Sequence, residues 1–351
     1  MQKDLNFSKI LINWYLKYKR DLPWRHTTDP YFIWLSEIML QQTQVAQGLP
    51  YYLKFTETYP TVFHLAKASQ EEVLKNWQGL GYYSRARNLH ETAKYVANER
   101  DGKFPEDYKG LLRLKGVGDY TASAIASICY NEPVAVVDGN VYRVLSRYFG
   151  IETPINSTKG VKEFKAMAEL LLDENQPALF NQAIMEFGAR HCKPKNPFCD
   201  TCPFSDSCKA LQDDNVLSLP VKLKKTTIKK RYLNYIVLLS DNENTQIKQR
   251  VGKGIWQGLY EFPCIETKKD ISETEFLSLL KASDISNDIN ENYNVSLFND
   301  ASIVHKLSHQ HLYTKFWIVR VSILNDGIPT HQLKNYPVPV LIARFLEDFS
   351  F

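Results

Sequence analysis

The sequence lacks any long uninterrupted hydrophobic run. No segment holds the roughly 18 consecutive apolar residues that a membrane-spanning helix needs. Residues 1–20 also lack the apolar core of a secretory signal peptide, because Lys3, Asp4, Lys9 and Asn13 interrupt them. These absences argue against a helical membrane protein and a secreted one, and they indicate a cytoplasmic protein without a membrane partner.

An excess of one charge sign is also missing. The 43 Lys and Arg residues nearly balance the 39 Asp and Glu residues, which leaves a formal net charge of +4. This mild basicity permits binding to nucleic acid but is equally ordinary in a protein that binds none. At 351 residues the chain is too long for one typical hydrophobic core, so we expect two domains.

The pattern of apolar residues changes once along the chain. Before it changes, the spacing of three and four residues is helical, and a basic stretch then leads into segments rich in β-branched and aromatic residues. We predict a mainly α-helical domain over residues 1–212, a linker over 213–230 and a smaller α+β domain over 231–351. In the last domain, strands are predicted over 232–239 and 313–323, and helices over 273–280 and 340–348.

Cysteine is scarce, yet four of the six cysteines fall close together with the spacing C-x6-C-x2-C-x5-C. They are Cys192, Cys199, Cys202 and Cys208. Four soft thiolates can surround one metal centre, and both zinc and an iron–sulfur cluster accept such a set. The spacing alone leaves the metal open, and unligated thiols are the alternative. Cys129 and Cys264 stand alone and are expected to be packed thiols.

A pair of glycines separates two predicted helices in the first domain. The triplet Gly116, Val117 and Gly118 precedes an apolar helical run over 123–130. Glycines allow a sharp turn, and the free amides at a helix N-terminus can hold a phosphate without reading sequence. One such triplet is weak evidence by itself, because any turn between helices can use it.

Two acidic residues have unusually apolar neighbours in sequence. Glu37 is the only charged residue between Tyr31 and Leu40, so burial should raise the pKa of its carboxyl and let it donate a proton near neutral pH. Asp138 follows the apolar run 134–137 and precedes a helix, where a fixed carboxylate can stabilise positive charge on a sugar. The alternatives are a surface Glu on an amphipathic helix and a purely structural helix cap.

The residues around these carboxylates carry a resemblance to a known family. Residues 35–45, LSEIMLQQTQV, and residues 136–144, VVDGNVYRV, resemble the two signatures of the adenine DNA glycosylases, the MutY family. The cysteine spacing after a helical domain is similar to the 4Fe–4S loop of the endonuclease III superfamily. The resemblance implies a two-lobed helix–hairpin–helix domain, with the hairpin in residues 111–130 and a 4Fe–4S cofactor in the loop 192–208.

The same resemblance implies roles for four residues. Glu37 would protonate adenine at N7, and Asp138 would stabilise the oxocarbenium ion while Asn140 orients its carboxylate. Relatives that also nick the strand carry a Schiff-base lysine at the position of Tyr120, and a phenol cannot form an imine. We therefore expect a monofunctional glycosylase, with Lys115, where relatives often have proline, a candidate for weak covalent trapping only.

Further positions resemble those with which the family holds DNA. Trp24, Arg25 and Gln182 resemble residues of the adenine pocket. A second group lies in a polar loop and a glycine-containing turn, both of which are suited to entering a DNA groove. Such residues can fill the gap that remains when the target base leaves the helix stack. Its members are Gln42, Thr43, Leu80, Tyr82 and Arg85. By resemblance, Tyr82 wedges beside the damaged guanine, and Arg85 is placed to meet a phosphate.

After the linker, residues 255–263, IWQGLYEFP, resemble the start of a Nudix-like domain. The acidic box with which Nudix hydrolases bind Mg²⁺ is missing downstream, so the resemblance implies recognition rather than hydrolysis. In the family this domain checks for 8-oxoguanine opposite adenine, and residues 305–309, HKLSH, match the loop that does so through Ser308 and His309. Leu307 stands where a phenylalanine is usual.

Together these features predict an enzyme of base excision repair. It would hydrolyse the N-glycosidic bond of adenine opposite 8-oxoguanine or guanine in double-stranded DNA and leave an abasic site. We expect a monomer associated with the nucleoid. Two other functions stay open: a bifunctional endonuclease III-like enzyme acting on oxidised pyrimidines, and a DNA-binding iron–sulfur sensor without catalysis. Tyr120 and the extra domain argue against the first, and Glu37 argues against the second.

Overall fold

The computed structural model describes residues 5–223, 228–289, 293–324 and 326–351. The chain divides into two compact units, one comprising Met1–Lys67 with Asn88–Lys225 and the other Ala68–Arg87 with Thr226–Phe351. Over the described residues, no helix has both the length and the apolar character that crossing a membrane requires.

Residues 5–212 fold into helices joined by turns, and their helical character is as predicted. These are α1 (Leu5–Tyr18), α2 (Pro30–Leu40), α3 (Val45–Thr58), α4 (Val62–Lys67), α5 (Gln70–Asn76), α6 (Ser84–Glu99), α7 (Tyr108–Leu111), α8 (Asp119–Tyr130), α9 (Gly139–Phe149), α10 (Thr158–Leu171), α11 (Pro177–Arg190) and α12 (Lys209–Gln212). Short 3-10 helices lie at Pro23–Arg25, Cys199–Thr201 and Ser205–Ser207.

Helix α2 is largely buried in the first unit, and its sequence explains both its start and its burial. The Asp29 side chain accepts a hydrogen bond of 2.8 Å from the Tyr31 amide, and Pro30 occupies the first turn. Eight of its eleven residues are buried, because the helix is apolar on every side. Glu37 therefore lies on a helix that has no solvent-facing stripe.

A hydrophobic core joins α1, α9, α10 and α11 to the cysteine loop. Its fully buried rings include Phe7, Phe164, Phe180 and Phe187. Phe7 stacks on Phe204 of the cysteine loop with ring centroids 4.8 Å apart. This packing fixes the loop against α9, whose first turn carries the candidate catalytic residues Asp138 and Asn140.

The chain from residue 228 onward combines strands with two helices. The strands are β1 (Lys229–Ser240), β2 (Asn244–Thr245), β3 (Lys248–Gln249), β4 (Tyr260–Glu261), β5 (Cys264–Thr267), β6 (Asn294–Leu297), β7 (Ile303–Lys306), β8 (Gln310–Val321) and β9 (Ile328–Pro329). The helices are α13 (Glu273–Lys281) and α14 (Val340–Asp348), with 3-10 helices at Asp284–Asp288 and Thr330–Asn335. The predicted α+β character is confirmed.

The main sheet has the strand order β5-β1-β8-β6, with β7 paired to the other end of β8. β1 and β8 run parallel in register over their full lengths, and the other pairs in this sheet are antiparallel. Phe276 of α13 stacks on Trp317, and Phe345 of α14 stacks on Phe316, each with centroids 4.2 Å apart. Because neighbours on a strand face opposite sides, the two helices cover opposite faces of the sheet.

Candidate active site

Glu37 is a buried carboxylic acid in the first unit. Its side chain lies on α2 and the residue is only 7% exposed. Burial raises the pKa of Glu37 to about 7, while a hydrogen bond with Tyr120 opposes that rise and the charge of Asp138 adds to it. The direction is the one predicted from the apolar sequence. At neutral pH a large fraction of this carboxyl therefore carries a proton.

Asp138 is held rigidly at the N-terminus of α9. Its Oδ1 accepts hydrogen bonds from the backbone amides of Asn140 at 2.9 Å and Val141 at 2.8 Å, and its Oδ2 accepts one from Asn140 Nδ2 at 2.7 Å. Burial raises the pKa of Asp138, and these hydrogen bonds together with Arg143 act in the opposite direction. The predicted helix cap is confirmed, and the same bonds fix the direction of the carboxylate.

Glu37 and Asp138 line one cavity of about 160 Å³. The predicted residues that line it with them are Trp24, Arg25, Thr43, Tyr120, Asn140 and Gln182. An open groove adjoins this cavity and shares Thr43, Tyr120, Asp138 and Asn140 with it. Gln42 and Gly118 line only the groove. The structure thus brings together residues that lie up to 158 positions apart in sequence, from Trp24 to Gln182.

Tyr120 lies at the start of α8, beside both carboxyl groups. Burial, followed by the charges of Glu37 and Asp138, raises the pKa of Tyr120 well above its usual value. Its hydroxyl lies 3.1 Å from the Met185 sulfur. Lys115 instead forms an ion pair with Glu91 at the surface, where both side chains are more than half exposed, and it does not line the cavity. A neutral phenol, rather than an amine, therefore faces the carboxyls.

An ion-paired cluster that sequence reasoning missed forms one wall of the cavity. Glu186 on α11 is 1% exposed and accepts from Arg20 at 2.6 Å and from Arg25 at 2.8 Å. Burial alone would raise the pKa of Glu186, but the hydrogen bonds from both arginines lower it to about 2. A signal existed, because Glu186 is four residues after Gln182 and so shares its helix face.

The remaining pocket residues are positioned by aromatic contacts. Trp24 meets the Tyr52 ring edge-on, with centroids 5.0 Å apart. The Tyr15 hydroxyl donates to the Gln182 side-chain oxygen at 3.0 Å, and the Arg25 guanidinium lies 5.3 Å from the Tyr15 ring centroid. These contacts fix the Gln182 amide on the wall of the cavity.

Arg143 connects the candidate catalytic helix to the cysteine loop and was not predicted. Its guanidinium donates to the Asn140 side-chain oxygen at 2.8 Å, to the Gly188 carbonyl at 2.6 Å and to the Cys192 carbonyl at 2.7 Å. Gly188 also allows α11 to lie close to Asn140, because a Cβ at position 188 would lie 2.7 Å from the Asn140 Cβ. A displacement of the cysteine loop would therefore be transmitted to Asn140 through the Arg143 side chain.

The four predicted cluster ligands line a small common cavity. Cys192, Cys199, Cys202 and Cys208 surround it together with Arg147, whose guanidinium nitrogen lies 3.3 Å from the Cys192 sulfur. Within the described residues, no three metal-ligating side chains meet closely enough, as placed, to hold a metal ion. The donor chemistry still suits an iron–sulfur centre, because the cavity offers four thiols beside a guanidinium and no carboxylate.

The predicted hairpin joins α7 to α8. Gly116 has φ +79°, a left-handed conformation that favours glycine, and Val117 packs inward with 7% exposure. A Cβ on Gly116 would lie 2.8 Å from the Asn88 side chain, whereas one on Gly118 would meet no atom within 4 Å. The turn therefore leaves the backbone at the α8 N-terminus open on its outer side.

The second unit contains a separate cavity of about 540 Å³ that includes three predicted residues. Tyr82, Ser308 and His309 line it, together with Trp256 and His305. The Tyr82 and Ser308 hydroxyls lie 3.0 Å apart within hydrogen-bond distance. Tyr82 is 47% exposed with φ +48°, an unusual backbone conformation for a residue with a side chain. Strain of this kind is typical of functional positions.

Leu80 and Arg85 do not line this cavity. Leu80 is 3% exposed and Arg85 is 7% exposed. The Arg85 guanidinium lies 5.3 Å from the ring centroids of both Trp77 and Tyr82, and burial lowers the pKa of Arg85 to about 10. A buried guanidinium is poorly placed for the predicted phosphate contact. The position indicates instead that Arg85 supports the Tyr82 ring through a cation–π contact.

The chain matches two family models in the order that the fold presents them. Residues 35–169 match the HhH-GPD superfamily base excision DNA repair protein model, and residues 234–348 match the NUDIX domain model. Among solved structures, a thermostable thymine-DNA glycosylase is 33% identical, with a TM-score of 0.55 over 59% of this chain and 96% of that chain. An endonuclease III–DNA covalent intermediate, 21% identical with a TM-score of 0.52, shares the fold. These matches define a helix–hairpin–helix DNA glycosylase with a Nudix-like domain.

Curated relatives show which family of DNA glycosylases this chain resembles. The adenine DNA glycosylase of Buchnera aphidicola subsp. Schizaphis graminum is 33% identical over 98% of this chain and 99% of its own. The human adenine DNA glycosylase is 45% identical over 59% of this chain and 39% of its own. This chain belongs to the adenine DNA glycosylase family.

Proposed function

We propose that this chain removes adenine from double-stranded DNA by hydrolysing its N-glycosidic bond, with adenine opposite 8-oxoguanine as the favoured substrate and adenine opposite guanine as a slower one. The observation that carries the proposal is one cavity with two carboxyl groups in different environments. Glu37 has a pKa of about 7, and Asp138 is fixed by three hydrogen bonds. Paired carboxyls with separated roles are suited to cleavage of a glycosidic bond.

The chemistry follows from these two environments. Protonated Glu37 donates its proton to adenine, at N7, which turns the base into a better leaving group. As the glycosidic bond breaks, positive charge develops on the sugar, and the Asp138 carboxylate stabilises it at no cost of reorganisation because Asn140 already holds it. Water then attacks the sugar carbon and an abasic site remains.

Tyr120 in place of a lysine makes strand nicking by an imine pathway unavailable. Its hydroxyl contacts Glu37 and Met185, and a phenol cannot form a Schiff base with the sugar. The surface position of Lys115 in its pair with Glu91 argues against a substitute amine. The product is therefore an intact strand that breaks at the abasic site only under alkali.

The flipped adenine would occupy the cavity between the two carboxyl groups and the aromatic wall. Trp24 offers an apolar surface, and the Gln182 amide, held by Tyr15, offers hydrogen bonds to the base edge. The ionised Glu186 between Arg20 and Arg25 keeps both guanidinium groups in place along the wall. The open groove with Gln42, Thr43 and Gly118 would carry the DNA backbone.

We also infer that the second unit recognises 8-oxoguanine through Tyr82, Ser308 and His309. The hydroxyl pair at 3.0 Å lies at the edge of a cavity with exposed aromatic surface, an arrangement that can hold a base by stacking and hydrogen bonding.

A 4Fe–4S cluster on Cys192, Cys199, Cys202 and Cys208 is the cofactor that we propose. When bound, it would fix the loop that Arg143 joins to Asn140. Iron and sulfide analysis of the purified chain tests this assignment, and Cys202→Ser should lose the iron while Cys264→Ser, outside the loop, retains it. Equal iron content in the two variants would refute the ligand set.

The substrate assignment is tested by mass spectrometry of the base released from matched duplexes. We expect free adenine from duplexes with adenine opposite 8-oxoguanine, less from adenine opposite guanine, and none from adenine opposite thymine. Release of an oxidised pyrimidine from a further duplex that contains one, without release of adenine from the others, would support the bifunctional alternative. Binding without release from any duplex would support the sensor.

A further inference from the structure

One face of the main sheet in the second unit ends in a row of basic side chains. Lys230 of β1 lies opposite His311 of β8, and His311 lies opposite Lys306 of β7. Residues paired across neighbouring strands present their side chains on the same face. The three groups therefore form one row across three adjacent strands, with Lys230 and Lys306 about 10 Å apart by the usual strand spacing.

The next row on that face is aromatic and apolar. Tyr232 lies opposite Tyr313, which lies opposite Val304. The two tyrosine rings stack with centroids 5.0 Å apart, and Lys230 Nζ lies 5.9 Å from the Tyr313 ring centroid. Val304 is 43% exposed. Cations and aromatic surface thus alternate along the strands, as they do on surfaces that bind nucleic acid.

This end of the face is left uncovered by the helix that protects the rest of it. α13 packs on the same face farther along the strands, over a core cluster that contains Ile236, Leu238, Trp317 and Val319. Lys230 and Lys306 are exposed. The other cations of this strand end, Lys229 and Arg231, flank Lys230 in β1 and therefore face the opposite side.

Within the described residues of the unit, no acidic side chain pairs with the two lysines of the row. Arg231 pairs with Glu266 at 2.6 Å on the other face, and Lys315, farther along the strand, pairs with Asp270. Over the part of the chain that the structure describes, neither Lys230 nor Lys306 takes part in an ion pair. The patch is therefore complementary to an anionic partner.

The row lies at the strand ends that flank the turn with Ser308. β7 ends at Lys306 and β8 begins at Gln310, and the Leu307 amide donates to the Gln310 carbonyl at 2.8 Å to close the turn. The Lys229 amide donates to the His309 carbonyl at 3.2 Å, which attaches the start of β1 to the same turn. Lys306 precedes Ser308 by two residues and His311 follows it by three. A polymer that contacts Ser308 would therefore also pass close to the patch.

We propose that Lys230, His311 and Lys306, with the Tyr232–Tyr313 pair behind them, bind the phosphodiester backbone of the DNA next to the nucleotide that Ser308 contacts. The proposal rests on the proposed function for the location of that nucleotide. We assign the patch to the backbone because its donors, two ammonium groups and an imidazole, suit phosphate oxygens. It would add affinity for any duplex and leave the preference for the lesion unchanged.

The test is the salt dependence of duplex binding by the full chain, measured by fluorescence anisotropy between 50 and 200 mM salt. Undamaged duplex is used first, since no base is released from it. Each phosphate contact contributes about 0.9 to the slope of log Kd against log salt. Lys230→Gln with Lys306→Gln should therefore lower the slope by about 1.8 and weaken binding at low salt. Lys281→Gln with Lys334→Gln, two exposed lysines outside the patch, should leave the slope unchanged.

Equal slopes for the patch and control variants would overturn the proposal, whatever the absolute affinities. Lys230→Arg with Lys306→Arg should restore the slope, since it restores the charge; failure to do so would also overturn it. The same titration on duplex with adenine opposite 8-oxoguanine, in a Glu37→Gln background, separates the two claims. If the slope falls but the chain shows no preference for the lesion, the patch stands and the proposed lesion recognition fails.

Discussion

The buried Glu37 carboxyl should destabilise the fold at alkaline pH. Its pKa is about 7 in the folded chain, whereas an unfolded chain ionises Glu near about 4.3. Between these values the folded state binds the additional proton, so stability is lost as the pH rises through this window and the loss is complete above pH 7. At about 1.4 kcal/mol per pKa unit, the penalty above this window is about 4 kcal/mol.

Replacing Glu37 by Gln removes this titration and keeps the shape of the side chain. We expect the stability of the variant relative to wild type to increase by about 2.5 kcal/mol between pH 5 and pH 8.5, because all other titrating groups are common to both chains. Urea denaturation followed by helical circular dichroism measures that difference. Glu57→Gln, an exposed carboxyl on α3, serves as the matched control and should show no such increase.

A relative stability that is the same at both pH values would refute the reasoning, because the carboxyl would then titrate alike in both states. The prediction also links stability to function. If Glu37→Gln is inactive yet more stable than wild type at alkaline pH, the buried acid is retained for catalysis at the expense of the fold.

Three further outcomes are expected. The single-turnover rate of adenine release should fall about tenfold per pH unit above pH 7, because only protonated Glu37 donates, and a flat profile to pH 9 would contradict its role as acid. Gly188→Ala should lower stability by about 1–3 kcal/mol in thermal unfolding and slow base release, because its Cβ would clash with Asn140, whereas Gly139→Ala meets no atom within 4 Å and should unfold like wild type. Tyr82→Phe and Ser308→Ala should each weaken binding to the 8-oxoguanine duplex by about 0.5–1.5 kcal/mol, and the double variant should be no weaker than either, since they share one hydrogen bond; additive losses would contradict this.

Local patterns in the sequence predicted most of the elements. The predicted strand 232–239 lies within β1, the predicted strand 313–323 overlaps β8, and the predicted helix 340–348 coincides with α14. These three elements were predictable because hydrophobic periodicity and β-branched composition are visible within a few consecutive residues. The parallel pairing of β1 with β8 was not predicted, because the partners are about 80 residues apart and no short-range signal specifies register.

The candidate site was predictable where a motif is continuous and was missed where it is assembled by packing. Glu37, Asp138 and Tyr120 each lie in a recognisable local sequence and line one cavity. Arg20 and Glu186 meet only because α11 packs beside the segment after α1. The four-residue spacing of Glu186 from Gln182 is a local signal, but it does not identify Arg20 as the partner. The roles of the predicted residues and the limits of the two domains stay predictions, and the contacts of Ala68–Arg87 place that segment in the second compact unit.

The most direct measurement of the central claim is a single-turnover assay on a duplex with adenine opposite 8-oxoguanine, resolved with and without alkali. Wild type should give cleaved strand only after alkali, and both Glu37→Gln and Asp138→Asn should give at least 100-fold less. Strand cleavage without alkali would contradict the monofunctional mechanism that Tyr120 implies. Undiminished cleavage by Glu37→Gln would contradict the buried acid on which the account depends.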